Sequence, residues 1–371
     1  MSIKGKNIRP FRIYPDDERS QSNLRIFDVL KRETAISVGE ISAKANVSEE
    51  VVADYMNICV KNDLIKISAA AKGELADLNN SFQKLLGIGF CGEECILTGV
   101  NLEGEVSWRE YVNLNHILGE NTRSKDISQI KDKIEKSVKS KKDEYHFTGL
   151  AIPEQMNENV AKTLAKSIKE IFKGDILIVK AATASGYAEK SHKKKAKNTL
   201  YMYRDIGIGV VLKNETIYET GESKLSSDRL YLRPWEQFDI IKTTKNLVNK
   251  GVGTDIVNMV GGDVNKITLE IVLSAAQKKD ELAEDLIKRS GLALGVRVAY
   301  LVNIFSPDVV IIGGGIEQDK KDFIGFVEES AKKFLLKDKI DKLVIIPGEL
   351  GREVSSIGAA LLCRREMFME V

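Results

Sequence analysis

One segment narrows the folds open to this chain more than any other. It is the run Val309-Val310-Ile311-Ile312, entered through Ser306-Pro307-Asp308 and left through Gly313-Gly314-Gly315. Four branched aliphatics in a row predict a strand buried on both faces. Glycines at its end let a backbone turn approach a neighbour with no side chain between them. Two more glycine features precede it. Gly87, Gly89 and Gly92 lie on and after a strand at Leu86–Phe90, and Gly207-Ile208-Gly209 follows a strand that begins at Leu200. Each alone is ordinary turn chemistry; the constraint lies in their order along the chain.

Strands alternate with helices between these features, which argues an α/β architecture. Cys95–Val100 reads as a second strand, Asn101-Leu102-Glu103-Gly104 as a hairpin turn, and Phe147–Ile152 and Ile176–Val179 as buried strands. Ile127, Ile130, Ile134 and Val138 fall on one helical stripe, and Val160, Leu164 and Ile168 on another. The first 75 residues differ. Lys4, Lys6, Arg9 and Arg12 form a basic arm expected to be mobile. Leu24, Phe27, Val29 and Leu30 give one helix face. Ser37 and Glu40 make a capping box ahead of Ile41 and Ala45. Ser48 caps a third helix through Val51, Val52, Tyr55, Met56 and Cys59, before a strand at Leu64–Ile67. This is the order of a winged helix-turn-helix, with Ala69–Gly73 as a cut-down wing or a linker. A three-helix cap or oligomerisation module has the same pattern.

At 371 residues with 43% hydrophobic and 30% charged, the chain supports two or three folded units. Cys59, Cys91, Cys95 and Cys363 form no disulfide framework, which favours a reducing compartment. No apolar run nears the roughly 20 residues that cross a bilayer, and the N-terminus lacks an apolar signal core. A cytoplasmic protein is expected. The net charge of +2, from 56 basic and 54 acidic residues, sets no field that selects nucleic acid.

The three glycine features in this order resemble the actin-like ATPase fold, in which glycine turns approach a nucleotide from two lobes. More closely, Leu301-Val302-Asn303-Ile304-Phe305-Ser306-Pro307-Asp308 through Gly313-Gly314-Gly315-Ile316 resembles the "NlfnPexIviGGgi" stretch of the ROK family (repressors, open reading frames and sugar kinases). Ser355-Ser356-Ile357-Gly358-Ala359-Ala360 is similar to that family's "aaxxGAA". Leu200–Leu212 matches its central strand pair in part. The resemblance covers about residues 84–365 and implies an α/β actin-like (ASKHA) two-lobed body preceded by the winged helix-turn-helix. The expected organisation is an arm (1–20), a winged helix-turn-helix (21–75), a small lobe (76–180, with a C-terminal helix at about 357–371) and a large lobe (181–356).

The family's kinase chemistry does not carry over. The resemblance puts Gly89 where ROK kinases hold the aspartate that organises metal-bound nucleotide. Glu93 stands at a phosphate-loop threonine, where a carboxylate repels phosphate. Lys180-Ala181-Ala182-Thr183 replace "NDAN", so Ala181 stands for the catalytic base and cannot accept a proton. Asp205 adds another negative charge at the second phosphate turn. The histidine and cysteine cluster of the family's zinc module is missing around Tyr218–Lys224, so neither zinc nor another cofactor is expected. The sugar-contacting loop is cut short after Ile152-Pro153. What remains is a ligand cleft expected at Thr183, Glu189, Asp205, Gly207, Gly209, Gly313, Gly314 and Gly315, with a carbohydrate-type effector implied by the resemblance.

Residues 1–70 hold 11 Lys/Arg and 10 Asp/Glu, a net of +1. The recognition helix opens Ser48-Glu49-Glu50 and has no basic residue before Lys61, so it repels phosphates while offering acceptors to cytosine amino groups. The expected DNA contacts are Lys4, Lys6, Arg9 and Arg12 on the arm, Ser48, Glu50, Val51, Asp54, Tyr55 and Asn57 on the helix, and Lys72 in the wing. Three functions follow. The first is a homodimeric ROK-type transcriptional regulator on a double-stranded operator, without sugar kinase activity. The second is a dead ROK protein whose helical module docks a protein. The third is a sugar kinase with displaced catalytic residues.

Overall fold

The computed structural model describes residues 8–10, 17–70, 73–82, 85–91, 93–114, 122–138, 145, 147–153, 156–172, 174–192, 198–203, 207–212, 215–219, 240–313, 316 and 322–371. They fall into two compact units. Described residues up to His192, with Arg352–Val371, make up most of one. Residues 198–212 and 240–351 make up the other, apart from the segments not described.

In the first unit a six-stranded sheet runs β1-β8-β7-β4-β5-β6, built from β1 (Ile8–Pro10), β4 (Leu85–Cys91), β5 (Glu94–Val100), β6 (Val106–Asn113), β7 (Phe147–Ile152) and β8 (Asp175–Lys180). β4, β5 and β6 are antiparallel neighbours, whereas β7 and β8 are parallel to β4. A five-stranded sheet, most of it in the second unit, runs β11-β10-β9-β12-β13: β9 (Thr199–Tyr203), β10 (Gly207–Leu212), β11 (Glu215–Glu219), β12 (Val309–Gly313) and β13 (Ile345–Pro347). β12 lies parallel between β9 and β13, buried along its whole length as its aliphatic run predicts. Leaving β1 aside, both sheets have the strand order 3-2-1-4-5 in sequence, the order expected of the two lobes of an actin-like body.

β1 corrects one expectation. The arm contributes a parallel edge strand, with Ile8, Arg9 and Pro10 opposite Ile176, Leu177 and Ile178. Pro10 is tolerated because an edge strand can spare a donor. Lys4, Lys6 and Arg12 lie outside the described residues, as do Lys72, Gly92, Asp205, Gly314, Gly315, the basic run 193–197 and most of the Tyr218–Lys224 segment.

The first sheet is covered differently on its two faces. Leu86, Ile88 and Leu150 join a core with Ile130 and Ile134 of α4 (Ser124–Ser137) and Leu164 and Ile168 of α5 (Glu158–Phe172). On the opposite face lies the C-terminal helix α13 (Val354–Met369), every residue of which except Arg365 is buried. Its Ser-Ser-Ile-Gly-Ala-Ala start has a packing cause. A Cβ on Gly87 would stand 1.8 Å from Ser356 O, and one on Gly149 would stand 1.9 Å from Ala359 O. Behind the helix, a Cβ on Gly358 would meet Ala184 O of α6 (Ala181–His192) at 1.8 Å. Only small residues let sheet, α13 and α6 stack this closely, and α6 thereby belongs to the first unit.

The second unit is built around the longest described helix, α10 (Glu281–Phe305), accompanied by α7 (Ile240–Asn249), α8 (Ile256–Met259), α9 (Leu269–Gln277), α11 (Asp322–Phe334) and α12 (Lys337–Ile340). Asp280 caps α10. Its Oδ1 accepts from Ala283 N at 2.8 Å, and its Oδ2 accepts from Asp255 N and Thr254 Oγ1, each at 2.8 Å. Burial alone pushes this carboxyl up, but the donors outweigh it and the pKa is lowered. The unfolded chain therefore binds the proton more readily, so the stabilisation is complete above about pH 3.9 and is lost as pH falls through the folded value. Asp280→Ala is expected to cost about 2 kcal/mol at neutral pH, the upper end for an N-cap. In urea unfolding the gap from wild type should shrink in acid; a gap constant from about pH 6 to pH 3 would contradict the capping account.

Candidate functional site

The N-terminal module is assembled by local rules. Asp17 caps α1 (Glu18–Leu30), with Ser20 N donating to its carboxylate at 2.8 Å. Ser37 and Glu40 form the expected capping box on α2 (Val38–Ala45). Asn46 ends α2 in the left-handed region at φ 53, and the Ser42 hydroxyl donates to Val47 O at 2.7 Å, which fixes the turn. Ser48 then caps α3 (Glu49–Lys61). β2 (Ile65–Ala70) and β3 (Gly73–Leu78) form a regular antiparallel hairpin with six paired positions. Ile36, between α1 and α2, bridges to Ala76 of β3. Ile26, Phe27, Ile41, Val52, Met56, Cys59, Leu64 and Ala76 are buried. Three helices are closed by this hairpin, and because Ala69, Ala70 and Gly73 pair within it, the stretch belongs to a wing and not to a linker.

α3 presents Ser48, Glu50, Asp54 and Asn57 to solvent, together with Val51 at 42% exposure. Tyr55 does not belong with them. It is 2% exposed, and its hydroxyl donates to Phe368 O of α13 at 3.0 Å. Burial raises its pKa well above the ordinary phenol value, and it pushes neighbouring Cys59 up to about 12. Tyr55 is an anchor and is unavailable to a base pair. The sequence carried a signal for this, since Val52, Tyr55, Met56 and Cys59 fall on a single i, i+3, i+4, i+7 stripe.

Where the family resemblance puts kinase chemistry, the first unit is packed shut. A Cβ on Gly89 would stand 2.3 Å from Ser355 Oγ and 2.7 Å from Ser356 N, so no aspartate fits at this position. Glu93, at the expected phosphate turn, is exposed, and the next carboxylate, Glu94, pairs with Arg352 at 2.7 Å. Arg109 pairs with Glu353 at 3.0 Å, and Arg352 lies over the Tyr111 ring at 4.5 Å from its centroid. Ala181 opens α6 and is 2% exposed; Thr183 and Glu189 are fully buried and offer no surface to a ligand. Gly207 of β10 and Gly313 of β12 both pair with Tyr203, and Gly209 pairs with Tyr201, so two of the glycine features meet around β9. Among the described residues no group of three or more His, Cys, Asp or Glu could hold a metal ion, and no helix is long and apolar enough to cross a membrane.

Residues 250–366 match the ROK family model. The chain is 32% identical over 100 residues to the DNA-binding transcriptional dual regulator NagC of Escherichia coli (strain K12); that match spans 27% of the chain and only 24% of NagC. It is 23% identical over 333 residues to the xylose repressor of Caldicellulosiruptor bescii, covering 78% of the chain and 80% of the repressor. The crystal structure of a ROK family transcriptional regulator, a homolog of the E. coli MLC protein, superposes with a TM-score of 0.72 at 17% identity, covering 95% of this chain and 97% of that one. Residues 250–366 thus carry a ROK family domain match, and the chain has the actin-like fold of that regulator's body behind an N-terminal winged helix-turn-helix.

Proposed function

We propose that this protein is a ROK-type transcriptional regulator that binds a double-stranded DNA operator as a homodimer and has no sugar kinase activity. The observation that carries the reading is a complete winged helix-turn-helix, with the outer face of α3 free of side-chain cover, on a body whose metal-organising position cannot hold a carboxylate. Its likeness to repressors over most of its length supports the same role. On this reading Asn57 and Asp54 meet base edges, Val51 meets a thymine methyl group, and Glu50 accepts from cytosine. Lys4 and Lys6, ahead of β1, are the arm's candidates for phosphate contacts. A small carbohydrate is the effector class to screen, and it would act by favouring one arrangement of the two units over another.

The deciding experiment is a genomic-fragment pull-down at physiological salt. Retention of a few promoter fragments is the expected result. On a retained fragment Asn57→Ala and Asp54→Ala should each weaken binding by about 5- to 30-fold with unchanged circular dichroism, whereas sugar-stimulated ADP release should be undetectable. Uniform retention of all fragments, or of none, would overturn the DNA reading.

One observation favours a second reading, docking of a partner protein. α3 opens with Glu49 and Glu50, adds Asp54, and has no basic residue before Lys61, which is a poor surface for phosphates. A basic partner captured in place of DNA, and lost in Glu50→Lys, would establish it.

A further inference from the structure

Arg364 lies in the middle of α13 and is 1% exposed. Its Nη1 donates to Leu102 O, in the β5–β6 turn, at 2.5 Å. It is hydrogen-bonded to the Tyr187 side chain of α6 and feels the charge of Asp28 in α1. On the α1 side its guanidinium stands 5.5 Å from the centroid of the Phe27 ring. Taking a guanidinium out of water costs several kcal/mol, and a methionine would fill the same channel without that cost. Stability alone therefore gives no reason for an arginine here. What the planar, forked group adds is fixed geometry toward several elements at once.

The elements it joins are telling. α6 begins at Ala181, the position the family resemblance assigns to sugar chemistry. α1 is the first helix of the winged module and hangs on the same stretch of α13. The Phe27 and Phe368 rings stack at 4.3 Å, Asn23 Nδ2 donates to Met369 O at 3.0 Å, and Tyr55 of α3 donates to Phe368 O. Arg364 lies one helical turn before Phe368. A displacement of α6 that moves the Tyr187 hydroxyl draws the guanidinium with it. The guanidinium in turn bears on the ring that seats the module.

We infer that Arg364 is a positioning residue that couples α6 to the DNA-facing module through Tyr187 on one side and Phe27 on the other. The consequence for DNA affinity rests on the regulator reading above; the coupling itself does not.

Amide hydrogen exchange on the full-length chain tests it. Tyr187→Phe removes a single oxygen, yet it should speed exchange in α1 about five- to tenfold, the lower range of site-to-site coupling. Arg364→Met should speed α1 at least as much. In the Arg364→Met background, adding Tyr187→Phe should change α1 by less than about twofold, since its route is already cut. Arg364→Lys keeps the charge but loses the fork and should behave like Arg364→Met. The inference is overturned if Tyr187→Phe leaves α1 at the wild-type rate, if the two single effects multiply in the double variant, or if lysine restores wild-type exchange. Should Arg364→Met fail to fold, Tyr187→Phe and Arg364→Lys still decide. A wild-type protein that retains no DNA would sink the regulator reading and leave this exchange result standing.

Discussion

Gly89→Asp is expected to unfold the first unit rather than create a metal site. Putting back the carboxylate that ROK kinases carry means placing a Cβ 2.3 Å from Ser355 Oγ and 2.7 Å from Ser356 N. The obstacle includes the backbone of α13, held in turn by Gly149 against Ala359 O and by Gly358 against Ala184 O, so the helix cannot slide away. Overpacking costs about 1–3 kcal/mol in cores that can relax, and this one cannot relax cheaply. A buried, unpaired carboxylate adds several kcal/mol more. The total reaches the roughly 5–15 kcal/mol by which whole domains are stable. Gly89→Ala separates the two causes. It should lower the unfolding free energy through sterics alone, by about 2–3 kcal/mol, read as a lower urea midpoint, and Gly89→Asp should go further or yield no soluble protein. A soluble Gly89→Asp with the wild-type midpoint would refute the packing account. ATP turnover in that variant would overturn the non-kinase reading as well.

What was legible beforehand divides by the range of the interaction. The capping box at Ser37 and Glu40, the Ser48 cap and the aliphatic strand Val309–Ile312 depend on neighbours a few residues away. So does the turn at Asn101–Gly104, in which Gly104 N and Glu105 N donate to Asn101 Oδ1. Each reads correctly from residue type and spacing. The failures involve partners far along the chain. Nothing in Ile8-Arg9-Pro10 announces a strand, because its pairing partner in β8 lies more than 160 residues away. Gly87 and Gly89 look like hairpin chemistry, whereas the residues that require them are Ser355 and Ser356, near the other end of the sequence. Tyr55 was misplaced for a different reason. Its apolar stripe was visible, but a tyrosine on a recognition helix suits base contact equally well, and only the Phe368 carbonyl decides between them. Thr183 and Glu189, expected at a ligand cleft, are fully buried in α6, and no local pattern in the sequence distinguishes the two settings.

Phe368→Ala is expected to detach the winged module from its seat. Phe368 is fully buried and stacked on Phe27, itself 1% exposed, so truncation opens a cavity where α1 and α3 meet α13. Phe to Ala in a core costs about 3–5 kcal/mol. Little can collapse into the gap, because the bonds from Asn23 and Tyr55 run to backbone carbonyls that stay in place. The damage should be local. Exchange in α1 to α3 should rise by at least about a hundredfold, whereas α10 in the second unit should keep wild-type protection. If the proposed regulator role holds, DNA affinity should fall even though no residue of the exposed α3 face has changed, because a module that rocks on its seat must be ordered again on binding. Phe368→Leu retains much of the volume, loses the stack, and should recover more than half of the lost stability. Uniform loss of protection in both units would instead mark Phe368 as an ordinary core residue. Wild-type operator affinity in Phe368→Ala would show that the seat plays no part in recognition.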